Sequence, residues 1–324
     1  MSVDSVNQPA VTRRLTLPVP AGFSFERTVA SHGWFDLPPF QWDPDTKILT
    51  RTLRLEDAGP VVARIRQNGP LKITLTSFAK LSRAGTSQAL AQIAHILRLD
   101  EDLEGFYRMA REVEAPDLRW TAASKAGRLM RSPEVFEDLV KMICTTNCTW
   151  ALTKVMVTAL VARLGEAAPG GLRTFPTPAA MARRPAAFYR DVMRAGYRSA
   201  ALLGLAQEVA RGKLDVETWV NPASPTDVIR KQILSVHGAG PYVADNMLKL
   251  LGRYDGLGID SWCRRKFFSM YHKGRPVSDL RIAKFYSVFG RYRGLALWCD
   301  ITKDWFEGET PLVTAREKFS TANY

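Results

Sequence analysis

The stretch Ser224–Phe268, SPTDVIRKQILSVHGAGPYVADNMLKLLGRYDGLGIDSWCRRKFF, decides the fold. Its apolar spacing predicts a helix ending near Ser235, then the tight turn Val236-His237-Gly238-Ala239-Gly240. A second helix follows with Pro241 in its first position, where a missing N–H costs nothing. Gly238 and Gly240 let the backbone turn sharply and approach another object with no Cβ in the way. The free N–H groups of the second helix then point outward, a geometry that suits a phosphate. A GxG turn alone also fits a plain helix–helix connection. The continuation adds chemistry. Eighteen residues after Tyr242, beyond an amphipathic helix (Val243, Met247, Leu248, Leu251) and the loop 252–258, stands Asp260, followed at once by Arg264, Arg265 and Lys266.

Charge points the same way. The 324 residues hold 45 Lys+Arg against 32 Asp+Glu, a formal +13. Residues 1–115 carry 14 basic and 13 acidic side chains, whereas residues 225–295 alone carry 13 and 5. A polyanion is the natural partner of such a field. Ordinary globular composition, with 46% hydrophobic and 24% charged residues, excludes a disordered chain or a collagen-like fibre. The longest dense apolar stretch, around Val155–Ala162, is too short to span a bilayer, so no membrane association is expected. No secretory signal is readable at the N-terminus. The four cysteines (Cys144, Cys148, Cys263, Cys299) show no zinc spacing. Reduced thiols in a cytoplasmic, nucleoid-associated protein are expected, with no metal and no cofactor.

Working outward, residues 47–55, 60–66 and 71–77 alternate or are β-branched, with Asn68-Gly69-Pro70 as punctuation, which predicts antiparallel strands. After Gly85 the period turns helical, with Leu90, Ile93, Ala94 and Leu97 on one face. Ser132-Pro133, Thr177-Pro178 and Ser224-Pro225 each read as a hydroxyl N-cap followed by proline, with Asp227 as a partial capping box. Val135–Ile143 should be a helix with Val135, Phe136, Leu139, Val140 and Ile143 together. Trp150–Leu164 should stop at a left-handed Gly165, and Arg198–Arg211 at Gly212. The fold class is therefore mainly α, with an antiparallel sheet in an N-terminal α+β domain (1–115), followed by a helical domain (116–324) holding the hairpin at 225–252.

The hairpin, the Gly-containing loop and Asp260 closely resemble the helix-hairpin-helix DNA glycosylase superfamily. Phe136–Trp150 (FEDLVKMICTTNCTW) resembles its helix and loop against the lesion strand. Ala195-Gly196-Tyr197-Arg198 resembles a turn of its 8-oxoguanine branch, and Tyr292–Trp305 (YRGLALWCDITKDW) the closing helix of its alkyladenine branch. The N-terminal strands resemble the small α+β domain of both branches. The iron–sulfur branch is excluded, because its four clustered C-terminal cysteines are missing.

The resemblance implies a partner, double-stranded DNA with damaged bases, and a monomer at work on it. Asp260 becomes the catalytic carboxylate that stabilises an oxocarbenium-like transition state and orients or deprotonates water; an aspartate before a helix is also an N-cap. Members that nick the strand have a Schiff-base lysine where this chain has Tyr242. The resemblance thus implies a monofunctional enzyme that leaves an abasic site, acting on an alkylated purine; an 8-oxoguanine-type enzyme and a non-catalytic DNA-binding protein are the alternatives. Lys249 reads as a phosphate contact or a solvated charge. Pocket candidates are Tyr242, Trp262, Trp298 and Asp300, with Trp150 beside them, and Asp300 could equally pair with Arg291 or Arg293. Asn147 and Cys148 match the gap-filling position, and Gly238, Gly240, Arg264, Arg265 and Lys266 the DNA backbone contacts.

Overall fold

A computed structural model describes residues 10–305 of the chain. The alternation in Leu71-Lys72-Ile73-Thr74-Leu75 turns Leu71, Ile73 and Leu75 inward and leaves Lys72 exposed. That pattern builds a five-stranded antiparallel sheet from β1 (Val11–Leu17), β2 (Phe40–Asp43), β3 (Ile48–Leu55), β4 (Gly59–Gln67) and β5 (Leu71–Ser77), in the order β1-β5-β4-β3-β2. Register is fixed by apolar partners such as Leu49 opposite Ile65 and Ile65 opposite Ile73. The three strands predicted from alternation are the central ones. The two edge strands escape that reading because β1 is largely exposed and polar and β2 has only four residues.

Thirteen α-helices, with shorter helical turns between them, complete the described chain. α1 (Phe25–Val29) precedes the second strand, and α2 (Arg83–Ile96), α3 (Glu104–Glu112) and α4 (Arg119–Ser124) follow the sheet. The helical body comprises α5 (Val135–Cys144), α6 (Trp150–Leu164), α7 (Pro178–Ala182), α8 (Ser199–Ala210), α9 (Thr226–Ser235), α10 (Pro241–Leu250), α11 (Ser261–His272), α12 (Asp279–Tyr286) and α13 (Arg293–Ile301). The hydrophobic core is continuous from Phe23 to Ile301. No described helix is long and apolar enough to cross a membrane.

The sheet is tied to α5 by buried charge. Arg51 faces inward from β3 and donates to both Glu137 oxygens, at 2.9 and 2.6 Å. Lys141, one turn along α5, donates to the same carboxylate at 2.6 Å, and Ser132 Oγ adds a bond at 3.0 Å. Burial opposes the Glu137 anion, but Arg51 and Lys141 outweigh it and hold its carboxyl below the usual range. The neighbouring Asp138 accepts from Trp34 Nε1 at 2.7 Å and from the Ser132 amide at 2.9 Å. All ten residues of α5 are consequently buried.

Of the three predicted hydroxyl caps, one forms and two do not. Thr177 caps α7, its hydroxyl accepting from the Ala180 amide at 3.0 Å. Ser132 does not cap α5, because its hydroxyl is spent on Glu137; Glu134 stands in the cap position. Ser224 does not cap α9 either, since the helix starts one residue after Pro225 with no side-chain cap. Gly165 ends α6 in extended, not left-handed, backbone. Its lack of a side chain serves a close approach to the Thr174 carbonyl.

Candidate active site

The hairpin builds the site from local rules. Gly238 has φ +84°, and a Cβ there would come 2.6 Å from Ala201 Cβ, so both conformation and space demand glycine. Gly240, at φ −82°, has nothing within 4 Å of where a Cβ would stand, and its surface is open to a docking partner. Pro241 opens α10, whose residues Tyr242, Asn246 and Lys249 share one face by their i, i+4, i+7 spacing.

Asp260 precedes α11 in extended backbone, and its Oδ1 accepts from the Cys263 amide at 2.7 Å. It is thus the N-cap, and it also lines a cavity of about 180 Å³ with Tyr242, Trp150, Trp262 and Trp298. Trp262 and Trp298 have ring centroids 6.2 Å apart, with Trp305 behind both. Burial and the nearby Asp260 raise the Tyr242 hydroxyl well above its ordinary value, so it stays neutral.

A wall of this cavity comes from the N-terminal region, which no spacing in the sequence announced. His32, Gly33 and Trp34 line it. Trp298 Nε1 donates to the Ser31 carbonyl at 2.8 Å, and the Trp150 ring lies where a Gly33 side chain would stand. Trp150 Nε1 reaches Asp36 at 3.2 Å. Burial pushes the His32 imidazole down to about 4, so it is neutral at pH 7. Its Nε2 faces the Met130 carbonyl and must therefore carry the proton.

The structure revises two further expectations. Asp300 does not line the cavity and does not pair with Arg291 or Arg293. It is 4% exposed and accepts from Tyr271 at 2.8 Å and Tyr286 at 2.6 Å, two hydroxyls that satisfy a carboxylate inside the helical body. Lys249 is neither a phosphate contact nor a solvated charge. It is 3% exposed, lines the cavity, and donates to the Leu257 carbonyl at 2.6 Å.

At the rim, Asn147 is exposed with φ +44° and donates to the Tyr197 hydroxyl at 3.3 Å. Tyr197 is 65% exposed, with the Arg198 guanidinium 4.4 Å from its ring centroid. Cys148 turns the other way, lining the cavity with its thiol on the Cys144 carbonyl. Arg264 is held bidentately by Asp279 (2.8 and 2.7 Å), and Lys266 meets Asp304 at 2.8 Å. Arg265 is exposed and lines the cavity mouth. Among the described residues, no group of His, Cys, Asp and Glu could hold a metal ion.

Solved structures share this architecture across nearly the whole chain. The 3-methyladenine DNA glycosylase from Archaeoglobus fulgidus superposes with a TM-score of 0.71 at 18% identity, covering 92% of this chain and 99% of its own. An apo 8-oxoguanine glycosylase/lyase from Clostridium acetobutylicum gives 0.68 at 14%, covering 90% and 98%. MBOgg1 in complex with a low-affinity DNA ligand gives 0.68 at 20%, covering 90% and 94%. The chain has the helix-hairpin-helix DNA glycosylase fold. No family model and no curated protein matches the sequence. Within this glycosylase fold one cavity is lined by α10 of the hairpin, by Asp260 and the aromatic rings, and by the N-terminal segment His32–Trp34.

Proposed function

We propose that the protein is a monofunctional DNA glycosylase that hydrolyses the N-glycosidic bond of a flipped, damaged purine in duplex DNA and leaves an abasic site. The observation that carries this reading is Asp260, a carboxylate fixed by the Cys263 amide on the wall of an aromatic cavity that α10 of the glycine hairpin also lines. A base in a duplex is out of reach of such a cavity, so it must leave the stack and lie against the faces of Tyr242, Trp262, Trp298 and Trp150. The open Gly240 and the first amides of α10 suit a phosphate, although Pro241 removes one donor. Arg265 adds a cation at the cavity mouth. Asn147 and Tyr197, bonded to each other and exposed, suit the gap the base leaves.

As the C1′–N bond breaks, its electron pair goes to the departing base and positive charge gathers on the sugar. The Asp260 carboxylate stabilises that charge and takes the proton of the water that attacks C1′. Tyr242 has no amine to form an imine with the sugar, which supports hydrolysis without strand cleavage. Aromatic faces accept an alkylated or an oxidised purine alike; what separates the two classes is charge. With Asp300 outside the cavity, no carboxylate from α13 is there to favour a cationic base.

The test is a panel of duplexes carrying 3-methyladenine, 7-methylguanine, hypoxanthine, ethenoadenine or 8-oxoguanine, incubated with protein and cleaved with alkali. Alkali-dependent nicks at one or more lesions, absent with Asp260→Asn, are expected. Borohydride trapping of a covalent protein–DNA adduct would overturn the monofunctional assignment.

A further inference from the structure

One cationic group on the cavity wall has no part in the chemistry above. Lys249 lies two turns along α10 from Tyr242, on the same face, with Asn246 between them. Its Nζ donates to the Leu257 carbonyl at 2.6 Å and to Asn246 Oδ1 at 3.2 Å. The Asn246 amide is itself pinned, since its Nδ2 donates to the Tyr242 carbonyl at 2.9 Å and Gly258 packs so closely that a Cβ there would come 2.6 Å from that nitrogen. Both acceptors of Lys249 are neutral. An ammonium has three N–H donors, and the protein occupies two of them. The cavity it lines also holds Asp260.

We propose that Lys249 determines specificity by donating its third N–H to an acceptor edge of the flipped base, a carbonyl oxygen or unsubstituted ring nitrogen, so that the pocket selects neutral oxopurines over purines made cationic by alkylation. This rests on the glycosylase reading above. A neutral base departs with the electron pair of the C1′–N bond, and negative charge spreads over its ring nitrogens and carbonyl oxygen before it gains a proton. A hydrogen bond from a buried ammonium is strongest at that moment. A purine made cationic by alkylation already carries positive charge and departs neutral. It gains nothing from the ammonium, and bringing a second cation beside a buried one costs free energy. Burial lowers the lysine's hold on its proton, while Cys263, Asp245 and Asp260 oppose that, and a base that supplies a third acceptor favours the charged form further.

The experiment measures single-turnover release of hypoxanthine, 8-oxoguanine and 7-methylguanine by the full chain, its Lys249→Met and Lys249→Gln variants, and Asp260→Asn. The wild type is expected to favour the best neutral oxopurine over 7-methylguanine. Both Lys249 variants should lower that ratio at least tenfold. Because the ratio is taken within one preparation, loss of folded protein cancels. An equal fall on all substrates, an unchanged ratio, or a wild-type preference for 7-methylguanine overturns the proposal and leaves the glycosylase reading standing. Full release by Asp260→Asn, or no release of any base by the wild type, instead overturns the glycosylase reading. An imine trapped on Lys249 by borohydride overturns the donor role in favour of a nucleophilic one.

Discussion

Two lysines, Lys141 on α5 and Lys249 on α10, are buried to almost the same degree, at 0% and 3% exposure, and burial lowers the proton affinity of both. Their surroundings differ in kind. Lys141 sits 2.6 Å from the Glu137 carboxylate, which Arg51 shares, with the Phe40 ring 4.8 Å from its Nζ. Lys249 meets only a backbone carbonyl and an amide oxygen, and its cavity is lined by the groups proposed for catalysis. A buried cation with its counter-ion belongs to the scaffold, where removing one partner strands the other. A buried cation with neutral partners and a spare donor beside a cavity is arranged for something that arrives later.

The contrast between scaffold and site can be broken at several points. The largest effect is expected for Asp260→Asn, with base release slowed by roughly 10²–10⁴-fold in single-turnover assays. Its melting temperature should stay near that of the wild type, because asparagine caps α11 as well as aspartate does. Equal loss of stability and activity would place Asp260 in the scaffold with Glu137. The reverse behaviour is expected of Glu137→Gln, which leaves Arg51 and Lys141 without their carboxylate. Urea unfolding should show a loss of about 3–5 kcal/mol.

Acid sharpens the same distinction. His32 is neutral in the fold, with its imidazole pushed down to about 4, whereas an unfolded chain protonates it near its ordinary value. The unfolded state therefore binds more protons between those values, and stability falls as pH drops from about 6.5 to about 4. For His32 alone that is on the order of 3 kcal/mol, and His32→Gln should flatten the pH profile of urea unfolding in this window. Gly238→Ala should cost about 1–2 kcal/mol for its left-handed backbone, with the Ala201 contact added. Gly240→Ala should leave unfolding unchanged and weaken duplex binding. The smallest effect is expected at Arg265, where alanine should reduce the slope of log binding constant against log salt by about one, measured by fluorescence anisotropy.

Much of this was legible in the sequence, for identifiable reasons. Turn chemistry is local, so Gly238 and Pro241 announced the hairpin, and strand alternation over residues 47–77 announced the centre of the sheet. The +8 excess over residues 225–295 was less direct as a guide to the surface. Within it Lys249 is interior, and Arg230 and Arg264 are held by Asp245 and Asp279. Asp300 and Lys249 were misread because burial depends on how elements pack on one another, which spacing within one helix does not carry. Ser132 was misread because a buried glutamate outcompeted the backbone for its hydroxyl. The segment 31–36 carried no signal, since its place at the cavity is set by a glycine against Trp150 and a backbone carbonyl that any residue possesses.

That carbonyl belongs to Ser31, and its partner Trp298 lies 267 residues further along the chain. The two walls of the cavity are therefore synthesised far apart in time. The hairpin is synthesised before α13, so a nascent chain holds the α9–α10 turn before Trp298 is present to complete the cavity. The cavity closes only when synthesis has passed Trp298 and α13 has packed against the segment around Ser31.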